Sequence, residues 1–208
     1  MSLFITLEGP EGSGKTSAIK LVREALEQMG HEIIMTREPG GTPISEQIRN
    51  VILDKSNTAM DSRTEALLYA ASRRQHLVEK IWPALKEGKI VFCDRYLDSS
   101  LSYQGHARGL GIDDILKVNE YATERTYPDI TFLFDIDPEL GLERINKNKD
   151  REVNRLDVEK LSFHQKVREG YLILSKRFPD RYIVIDASKP LEEVSSNVLK
   201  EILNRLGK

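Results

Sequence analysis

The stretch that decides the fold is GPEGSGKT at residues 9–16, which matches the phosphate-binding pattern G-x-x-x-x-G-K-[ST] at every fixed position. Residues 3–8 ahead of it are apolar and rich in β-formers, which predicts a buried strand. Behind it, apolar residues recur at helical spacing as far as Met29-Gly30. A strand, a glycine-rich loop and a helix in this order are the context that the motif needs, so we favour it over a chance glycine-rich turn.

Each part of this loop has a role in holding a polyphosphate. The glycines let successive backbone N–H groups curl around phosphate oxygens, and the helix N-terminus adds its positive end. Lys15 is predicted to reach the β- and γ-phosphates, and the Thr16 hydroxyl is predicted to ligate Mg²⁺. The loop therefore predicts a nucleotide site made by all eight residues: Gly9, Pro10, Glu11, Gly12, Ser13, Gly14, Lys15 and Thr16.

Composition limits the class of protein. The 208 residues carry a formal net charge of −2, with acidic and basic residues mixed along the chain. This predicts one domain, residues 1–208, and no nucleic-acid or membrane partner. The single Cys93 lies in an apolar run and is expected to be a small core residue. With neither a signal peptide nor an apolar run near about 18 residues, we expect a soluble, cytoplasmic protein.

Strand-like runs alternate with helical patterns along the rest of the chain. Further strands are predicted at residues 32–36, 89–94, 130–135 and 182–186, each followed by a helical pattern. Five near-continuous apolar strands alternating with helices predict an α/β fold of three layers, in which a parallel sheet is covered on both faces.

Several local signals mark the predicted helices. Residues 44, 48, 51 and 52 place four apolar side chains on one helix face, and Ser62-x-x-Glu65 is read as a capping box that opens a long helix. Pro83 should kink or split that helix. Asp137-Pro138 is expected to cap a helix, the polar residues 146–155 predict a mobile loop, and a further helix is expected from about 157 to 177.

Acidic residues at strand ends are candidates for a metal site. Ligands of parallel sheets gather beyond the carboxyl ends of the strands. Asp94 ends the third predicted strand, where it could hold Mg²⁺ or its water shell. Asp135 and Asp137 are the alternatives, and helix capping is their competing role. We favour Asp94.

Arginines crowd the same region and suggest a second, phosphorylated substrate. Arg37 and Arg95 directly follow predicted strands, where bidentate guanidinium groups would bind a phosphate. Phosphoryl transfer needs mainly positioning and charge neutralisation, which Lys, Arg, Mg²⁺ and acids supply. The histidines lack metal-site spacing and are read as surface or packing residues: His31, His76, His106 and His164.

The phosphate loop alone does not fix the class of protein, because switches, motors and kinases share it. The chain lacks the D-x-x-G pattern of a GTPase, and residues 146–149 fail the N-K-x-D pattern. The residues therefore favour a small-molecule kinase, with a non-catalytic nucleotide sensor as the alternative.

With the phosphate loop, three further stretches resemble thymidylate kinase: REPGG at 37–41, DRY at 94–96 and the run 99–105. The resemblance covers essentially the whole chain. The resemblance implies a P-loop NTPase fold with a mobile lid at about 144–156. It implies transfer of the γ-phosphate of Mg·ATP to dTMP, giving dTDP and ADP, and a homodimer formed through helix faces such as residues 66–77. A deoxynucleoside kinase or another nucleoside monophosphate kinase is the runner-up.

The resemblance also implies roles for individual residues near the phosphates. Asp94 matches an acid near Mg²⁺ and the acceptor phosphate, with contact to the metal directly or through water. Arg95 and Arg49 match acceptor-phosphate ligands. Glu38 matches an acid beside the deoxyribose and the water shell of the metal.

A second group of matched residues lines the base and sugar. Tyr69 matches an aromatic residue that stacks on thymine, and Arg73 matches a residue that reads a base carbonyl. Residues four apart share one helix face, which suits this pair, although Tyr69 could instead be core. Ser100, Tyr103 and Gln104 match positions around the base and sugar, and Tyr103 is expected to crowd a ribose 2′-hydroxyl.

The phosphate loop indicates which group of the thymidylate kinase family the chain resembles. Its variable positions carry Glu11 and no arginine, as in the bacterial group, in which the lid supplies the positive charge. The lid candidates are Arg144, Arg151 and Arg155, with Arg144 and Arg155 expected at ATP and Arg151 in the catalytic role. Lys147 and Lys149 are the alternatives.

Overall fold

The computed structural model describes residues 2–147, 155–156 and 159–207. Five strands form one sheet: β1 Leu3–Glu8, β2 Ile33–Arg37, β3 Ile90–Asp94, β4 Ile130–Asp135 and β5 Tyr182–Asp186. All pairings are parallel, and the strand order is β2-β3-β1-β4-β5. The predicted α/β class and the five predicted strands are confirmed.

The helices connect the strands. The described residues form α1 Lys15–Gln28, α2 Pro43–Leu53, α3 Ser62–His76, α4 Trp82–Lys86, α5 Leu97–Ser100, α6 Ile112–Thr123, α7 Pro138–Lys147, α8 Leu161–Arg177 and α9 Leu191–Leu206. Two π-helical segments, Leu77–Ile81 and Leu101–Ala107, join α3 to α4 and extend α5. Every helix within the described residues is too short or too polar to span a bilayer.

Two hydrophobic cores cover the two faces of the sheet. Successive side chains of a strand point to opposite faces, so Ile5 lies in one core with Val22 of α1 and Val198 of α9. Phe4 lies in the other core with Leu101 and Tyr171. The strands are therefore apolar at nearly every position, as expected for a parallel sheet with helices on both sides.

The start of α3 differs from the predicted capping box. Asp61 is the N-cap, because its carboxylate accepts hydrogen bonds from the N–H groups of Arg63 and Thr64 at 2.9 and 3.1 Å. The Glu65 side chain turns inward and is almost fully buried. The capping-box prediction was wrong because an acid one residue earlier satisfies the free N–H groups of the first turn.

Pro83 was expected to kink or split the helix, and the helix is divided there, since a π-helical segment at Leu77–Ile81 separates α3 from α4, in which Pro83 is the second residue. In α2, only Ile52 of the four predicted apolar residues is buried, while Ile44 and Val51 are about half exposed. The contact between α2 and α3 runs partly through small polar groups, with the Ser45 hydroxyl donating to the Ser72 carbonyl at 2.9 Å.

Around the predicted lid, Asp137 caps α7 as expected, accepting the N–H of Glu139 at 2.9 Å. The helix predicted from about 157 begins at Leu161. Most of the loop predicted at 146–155 lies outside the described residues.

Candidate active site

The sheet topology brings three strand ends to one edge. In the register of β2, β3 and β1, Asp94 lies beside Arg37 and Leu7. The N–H of Glu38 donates to the Asp94 carbonyl at 2.9 Å, and the N–H of Arg95 donates to the Leu7 carbonyl at 3.0 Å. The phosphate loop and the residues that follow β2 and β3 therefore meet, as the sequence predicted.

The phosphate loop packs tightly against its surroundings. Gly12 has a φ of 71°, and a Cβ there would lie 2.1 Å from the carbonyl oxygen of Gly141 in α7. Gly9 has a φ of 136°, and a Cβ there would lie 2.4 Å from the carbonyl oxygen of Phe134. Only glycine fits at either position, so these two glycines allow the tight curve of the loop.

Lys15 lies beneath this loop. Its Nζ donates to the carbonyls of Gly9 and Pro10 at 3.2 and 3.1 Å and to the Ser13 hydroxyl at 3.1 Å. Burial lowers the pKa of Lys15 to about 8, and the nearby charge of Arg95 acts in the same direction. The ammonium group is held at the loop by neutral oxygens, which an arriving phosphate would replace.

Arg95 reaches across the loop from the end of β3. Its Nη2 donates to Glu11 Oε1 at 2.6 Å, and its Nη1 donates to the Gly9 carbonyl at 3.2 Å and to the Tyr171 hydroxyl at 3.1 Å. Its guanidinium lies 5.2 Å from the ring centre of Tyr103. The backbone φ of 67° places Arg95 in the left-handed region, which costs a non-glycine residue energy and is typical of functional sites.

Arg73 is the most deeply buried arginine of the site. Its Nε donates to Glu38 Oε2 at 2.7 Å, and its Nη groups donate to the Tyr96 carbonyl at 2.9 Å, the Ser100 hydroxyl at 3.0 Å and Asn119 Oδ1. Burial opposes its charge, but Glu38 keeps the pKa of Arg73 raised.

The other oxygen of Glu38 accepts from His76 Nδ1 at 2.9 Å. Glu38 therefore anchors Arg73 with one oxygen and His76 with the other, and only its remaining lone pairs could accept from water. His76 is a buried packing residue, as predicted. Cys93 is buried as well, which confirms its prediction as a core residue.

Two cavities meet at these residues. The first, which we call the acceptor cavity, has a volume of about 200 Å³, and its lining includes Glu38, Arg49, Tyr69, Arg73, Asp94, Arg95, Tyr103 and Gln104. The structure thus brings together every residue predicted around the second substrate except Ser100, which lies behind Arg73. Tyr69 is both buried and at the cavity wall, so its two predicted roles do not exclude each other.

The second cavity, the donor cleft, follows the phosphate loop from Glu11 to Ser17 and also touches Arg144. Its volume of about 490 Å³ is larger than that of the acceptor cavity. Glu11, Asp94 and Arg95 line both cavities, so a group passing from one cavity to the other would pass these three side chains.

Two buried polar atoms at the acceptor cavity have no hydrogen-bond partner among the described residues. They are Asp94 Oδ1 and the Tyr103 hydroxyl. Since buried polar groups are nearly always paired, such atoms are candidates for contact with a ligand or ion. Asp94 and Thr16 both line the donor cleft, and a carboxylate with a hydroxyl is a donor set that suits Mg²⁺.

The two rival acids are engaged elsewhere. Asp135 forms a two-pronged ion pair with Arg168 at 2.7 and 2.8 Å, and Asp137 caps α7. Their geometry therefore leaves Asp94 as the acid that fits a metal at the loop.

The three lid arginines fall in different places. Arg144 lines the donor cleft, and its Nη1 donates to the Ala187 carbonyl at 3.0 Å. The structure does not bring Arg155 to the phosphate loop. It contacts the Ile52 carbonyl at 3.0 Å and the carboxylate of Glu65, on the side of the acceptor cavity. Arg151 lies outside the described residues.

Sequence reasoning missed a carboxylate beneath Arg95. Glu8 is fully buried and accepts from the Tyr96 N–H at 2.8 Å, the Ser99 hydroxyl at 2.6 Å and the Tyr171 hydroxyl at 2.8 Å. Burial, with a contribution from Asp98, raises the pKa of Glu8 to about 7. The available signal was an acid that closes an otherwise apolar strand directly before the loop.

Comparison with known proteins agrees with this geometry. The family model described as thymidylate kinase matches residues 7–198. The chain is 58% identical to a thymidylate kinase of Geobacillus sp. (strain WCH70), over 98% of this chain and 97% of that protein. It is 60% identical to a thymidylate kinase of Clostridium novyi, over 94% of this chain and 95% of that protein. The crystal structure of thymidylate kinase from Ehrlichia chaffeensis matches with a TM-score of 0.78 at 34% identity, covering 97% of this chain and 98% of that chain.

Proposed function

This chain belongs to the thymidylate kinase family, and we infer that it transfers the γ-phosphate of ATP to dTMP, giving dTDP and ADP for dTTP synthesis. The observation that carries this function is the meeting of the two cavities at Glu11, Asp94 and Arg95. A donor phosphate held by the loop and an acceptor phosphate held by arginines would face each other there, as phosphoryl transfer requires.

On the donor side, the curved loop offers backbone N–H groups to the phosphates of ATP, and the N-terminus of α1 adds its positive end. Lys15 exchanges the carbonyls of Gly9 and Pro10 for oxygens of the β- and γ-phosphates. It thereby neutralises charge that develops on the transferred group.

Mg²⁺ is part of this proposal, and Asp94 and Thr16 are the residues that would hold it, with Asp94 acting directly or through water. Glu38 would reach the water shell only through lone pairs that Arg73 and His76 leave over. When bound, the ion would supply charge neutralisation at the phosphates.

On the acceptor side, Arg95 and Arg49 bind the dTMP phosphate, and Asp94 lies beside it. Tyr69 stacks on thymine, and Arg73 offers its remaining N–H to a base carbonyl. Tyr103 and Gln104 complete the base and sugar site, and Ser100 takes part through Arg73, whose Nη1 donates to its hydroxyl. The Tyr103 hydroxyl, which lacks a partner among the described residues, is the group expected to crowd a ribose 2′-hydroxyl.

The lid is proposed to supply a further positive charge, since the loop carries Glu11 and no arginine. Arg151 is our candidate for the catalytic role, with Arg144, which lines the donor cleft, assisting at ATP. A lid that delivers this charge only on closing would also protect ATP from water. Near-normal turnover in both Arg151→Ala and Arg144→Ala would contradict this role of the lid.

The function is tested by a coupled assay of ADP release with Mg·ATP and a panel of acceptors: dTMP, dUMP, dCMP, AMP, UMP and thymidine. We expect strong turnover on dTMP, weak turnover on dUMP and none on thymidine, with Asp94→Ala inactive. Turnover on thymidine would indicate a nucleoside kinase, because Arg49 and Arg95 would then have no acceptor phosphate to bind. ATP binding without turnover on any acceptor would indicate a nucleotide sensor.

We also propose that the protein is a homodimer, as the resemblance implies, and that α3 and α6 form its interface. The support is a groove between these helices that contains Leu67 and Tyr121, which are 59% and 90% exposed. Large apolar side chains with this exposure are typical of interfaces. Light scattering of the wild type should give twice the mass of one chain. The double variant Leu67→Arg, Tyr121→Arg should give the mass of one chain. A cytoplasmic location stays a prediction.

A further inference from the structure

We propose that Glu65 is a positioning residue for base recognition, because it fixes which end of the Gln104 amide faces the acceptor. This inference rests on the proposed function, since it concerns the base of the nucleotide that is phosphorylated. It does not depend on the metal.

The first step is the contact between the two side chains. Gln104 Nε2 donates to Glu65 Oε1 at 2.8 Å, and both side chains are buried, with about 1% of each residue exposed. A carboxylate can only accept hydrogen bonds, whereas an amide has a donor end and an acceptor end. The end of Gln104 that meets Glu65 must therefore be its NH₂ group.

The second step is that neighbouring side chains hold the Glu65 carboxylate in place. Its Oε2 contacts the guanidinium of Arg155, and its Oε1 lies 3.5 Å from Arg108 Nε. Guanidinium groups can only donate hydrogen bonds, so both hold the carboxylate as an acceptor and fix its orientation. Glu65 therefore meets Gln104 as a hydrogen-bond acceptor.

The third step concerns the other end of the amide. Gln104 lines the acceptor cavity, and its Oε1 has no hydrogen-bond donor among the described residues. With the NH₂ group bound to Glu65, Gln104 presents a hydrogen-bond acceptor to the base. The group that it selects is a ring N–H, which thymine and uracil carry at N3 and cytosine lacks.

Two side chains therefore recognise the base, one by donating a hydrogen bond and the other by accepting one. Arg73 offers a donor and Gln104 offers an acceptor, a combination that matches the adjacent carbonyl and N–H of a keto pyrimidine. A substrate that leaves a buried polar group of the site unpaired is rejected far more strongly than a substrate that only loses an apolar contact. Glu65 contributes to this selection without touching the substrate.

The test compares dTMP with 5-methyl-dCMP, which keeps the methyl group but exchanges the N3 donor for an acceptor. In Glu65→Gln, the residue can donate to Gln104, so both orientations of the Gln104 amide become accessible. We expect the ratio of kcat/KM for dTMP over 5-methyl-dCMP to fall by about tenfold or more, with KM for ATP unchanged. The matched control is Glu159→Gln, which removes the other carboxylate that pairs with Arg108 and should leave the ratio unchanged.

A double-mutant cycle separates positioning from a general loss of structure. In a Gln104→Met background there is no amide to orient, so Glu65→Gln should no longer change the ratio. An equal fall of the ratio in both backgrounds, or an unchanged ratio in the single variant, would overturn the inference. In either case wild-type turnover on dTMP would leave the function itself intact, whereas absent wild-type turnover would count against the function.

A measurement on the wild-type protein covers the case in which Glu65→Gln does not fold. The side-chain NH₂ resonances of Gln104, assigned by comparison with Gln104→Met, report where the amide donates. We expect slow hydrogen exchange of this group and little change in its shifts when dTMP binds, because the NH₂ stays on Glu65. Fast exchange in the free protein, or a large shift on binding, would mean that the NH₂ end faces the base.

Discussion

The acceptor cavity and the phosphate loop hold their positive charges in different ways. In the acceptor cavity, Arg73 pairs with Glu38 and Arg95 pairs with Glu11, so protein carboxylates fix both guanidinium groups. At the loop, the hydrogen bonds of the Lys15 ammonium go to two backbone carbonyls and a hydroxyl. The acceptor side is therefore preformed, whereas the donor side must exchange contacts when its ligand arrives.

The chemistry of the two side chains explains this difference. An arginine has five N–H donors in one plane, so Arg73 uses four in the protein and keeps one for a substrate. A lysine has three donors, and Lys15 uses all three within its own loop. Preorganised groups bind at lower entropic cost, whereas groups that must exchange partners couple binding to a local rearrangement.

The largest expected effect comes from removing a preformed charge. Arg73→Met leaves Glu38 and Asn119 buried without their partner, which should lower the free energy of unfolding by about 3–5 kcal/mol. Denaturant unfolding of the variant against wild type measures this. Arg63→Met, an exposed position on the same helix, is the control and should change stability little. A stable Arg73→Met protein would mean that this network is not structural.

Removing the positive charge of Lys15 at the loop should lower the turnover rate without lowering the free energy of unfolding. Lys15→Met is expected to lower kcat by about 10²–10³-fold, the usual effect of losing one electrostatic contact to a transition state. Its unfolding free energy should not fall, because the buried ammonium is not paired with a carboxylate. Steady-state kinetics and unfolding are compared with Lys20→Met, an exposed lysine of α1. A loss of stability as large as that in Arg73→Met would remove the contrast between the two regions.

The buried carboxylate of Glu8, beneath Arg95, should make the stability of the protein depend on pH. Burial raises its pKa from an ordinary value of 4.5 to about 7, so the folded protein binds this proton more tightly than the unfolded chain. The resulting stabilisation is complete below pH 4.5 and is lost as the pH rises through about 7. Wild type should therefore lose more thermal stability than Glu8→Gln between pH 5 and pH 8, by a Tm difference of about 5–10 °C. Glu24→Gln, at an exposed position, should behave like wild type.

The smallest effect is a proton taken up at the loop. Because burial lowers the pKa of Lys15 to about 8 in the free protein, part of the population is neutral at pH 8.5. Phosphate oxygens favour the charged form, so ATP binding at that pH should take up roughly half a proton or more. Calorimetry in two buffers of different ionisation enthalpy measures the uptake. Uptake that persists in Lys15→Met would assign the proton to another group.

The sequence predicted the parts of the site that follow from local pattern. The strand, loop and helix around Gly9 each have their own signal, and the rule that parallel strand ends share one edge of the sheet placed Asp94 and Arg95 beside the loop. The base-side residues came from the resemblance, and the acceptor cavity does bring Tyr69, Tyr103 and their neighbours together.

The partners that hold these residues were beyond the sequence, because they depend on long-range packing. Tyr171 meets Glu8 across 163 positions, and Asn119 meets Arg73 across 46. Glu65 shows the limit most clearly. Its spacing from Ser62 fits a capping box, and only contacts with distant residues decide that its side chain turns inward.

The most direct test of the contrast between the two regions is a calorimetric titration of dTMP into protein free of ATP, with thymidine as the comparison. A preformed acceptor cavity predicts that dTMP binds without ATP, within about tenfold of its affinity in the presence of a non-hydrolysable ATP analogue. Thymidine should bind at least about 100-fold more weakly, because it lacks the phosphate that Arg95 and Arg49 would bind. Binding of dTMP only when the ATP analogue is present would contradict the account.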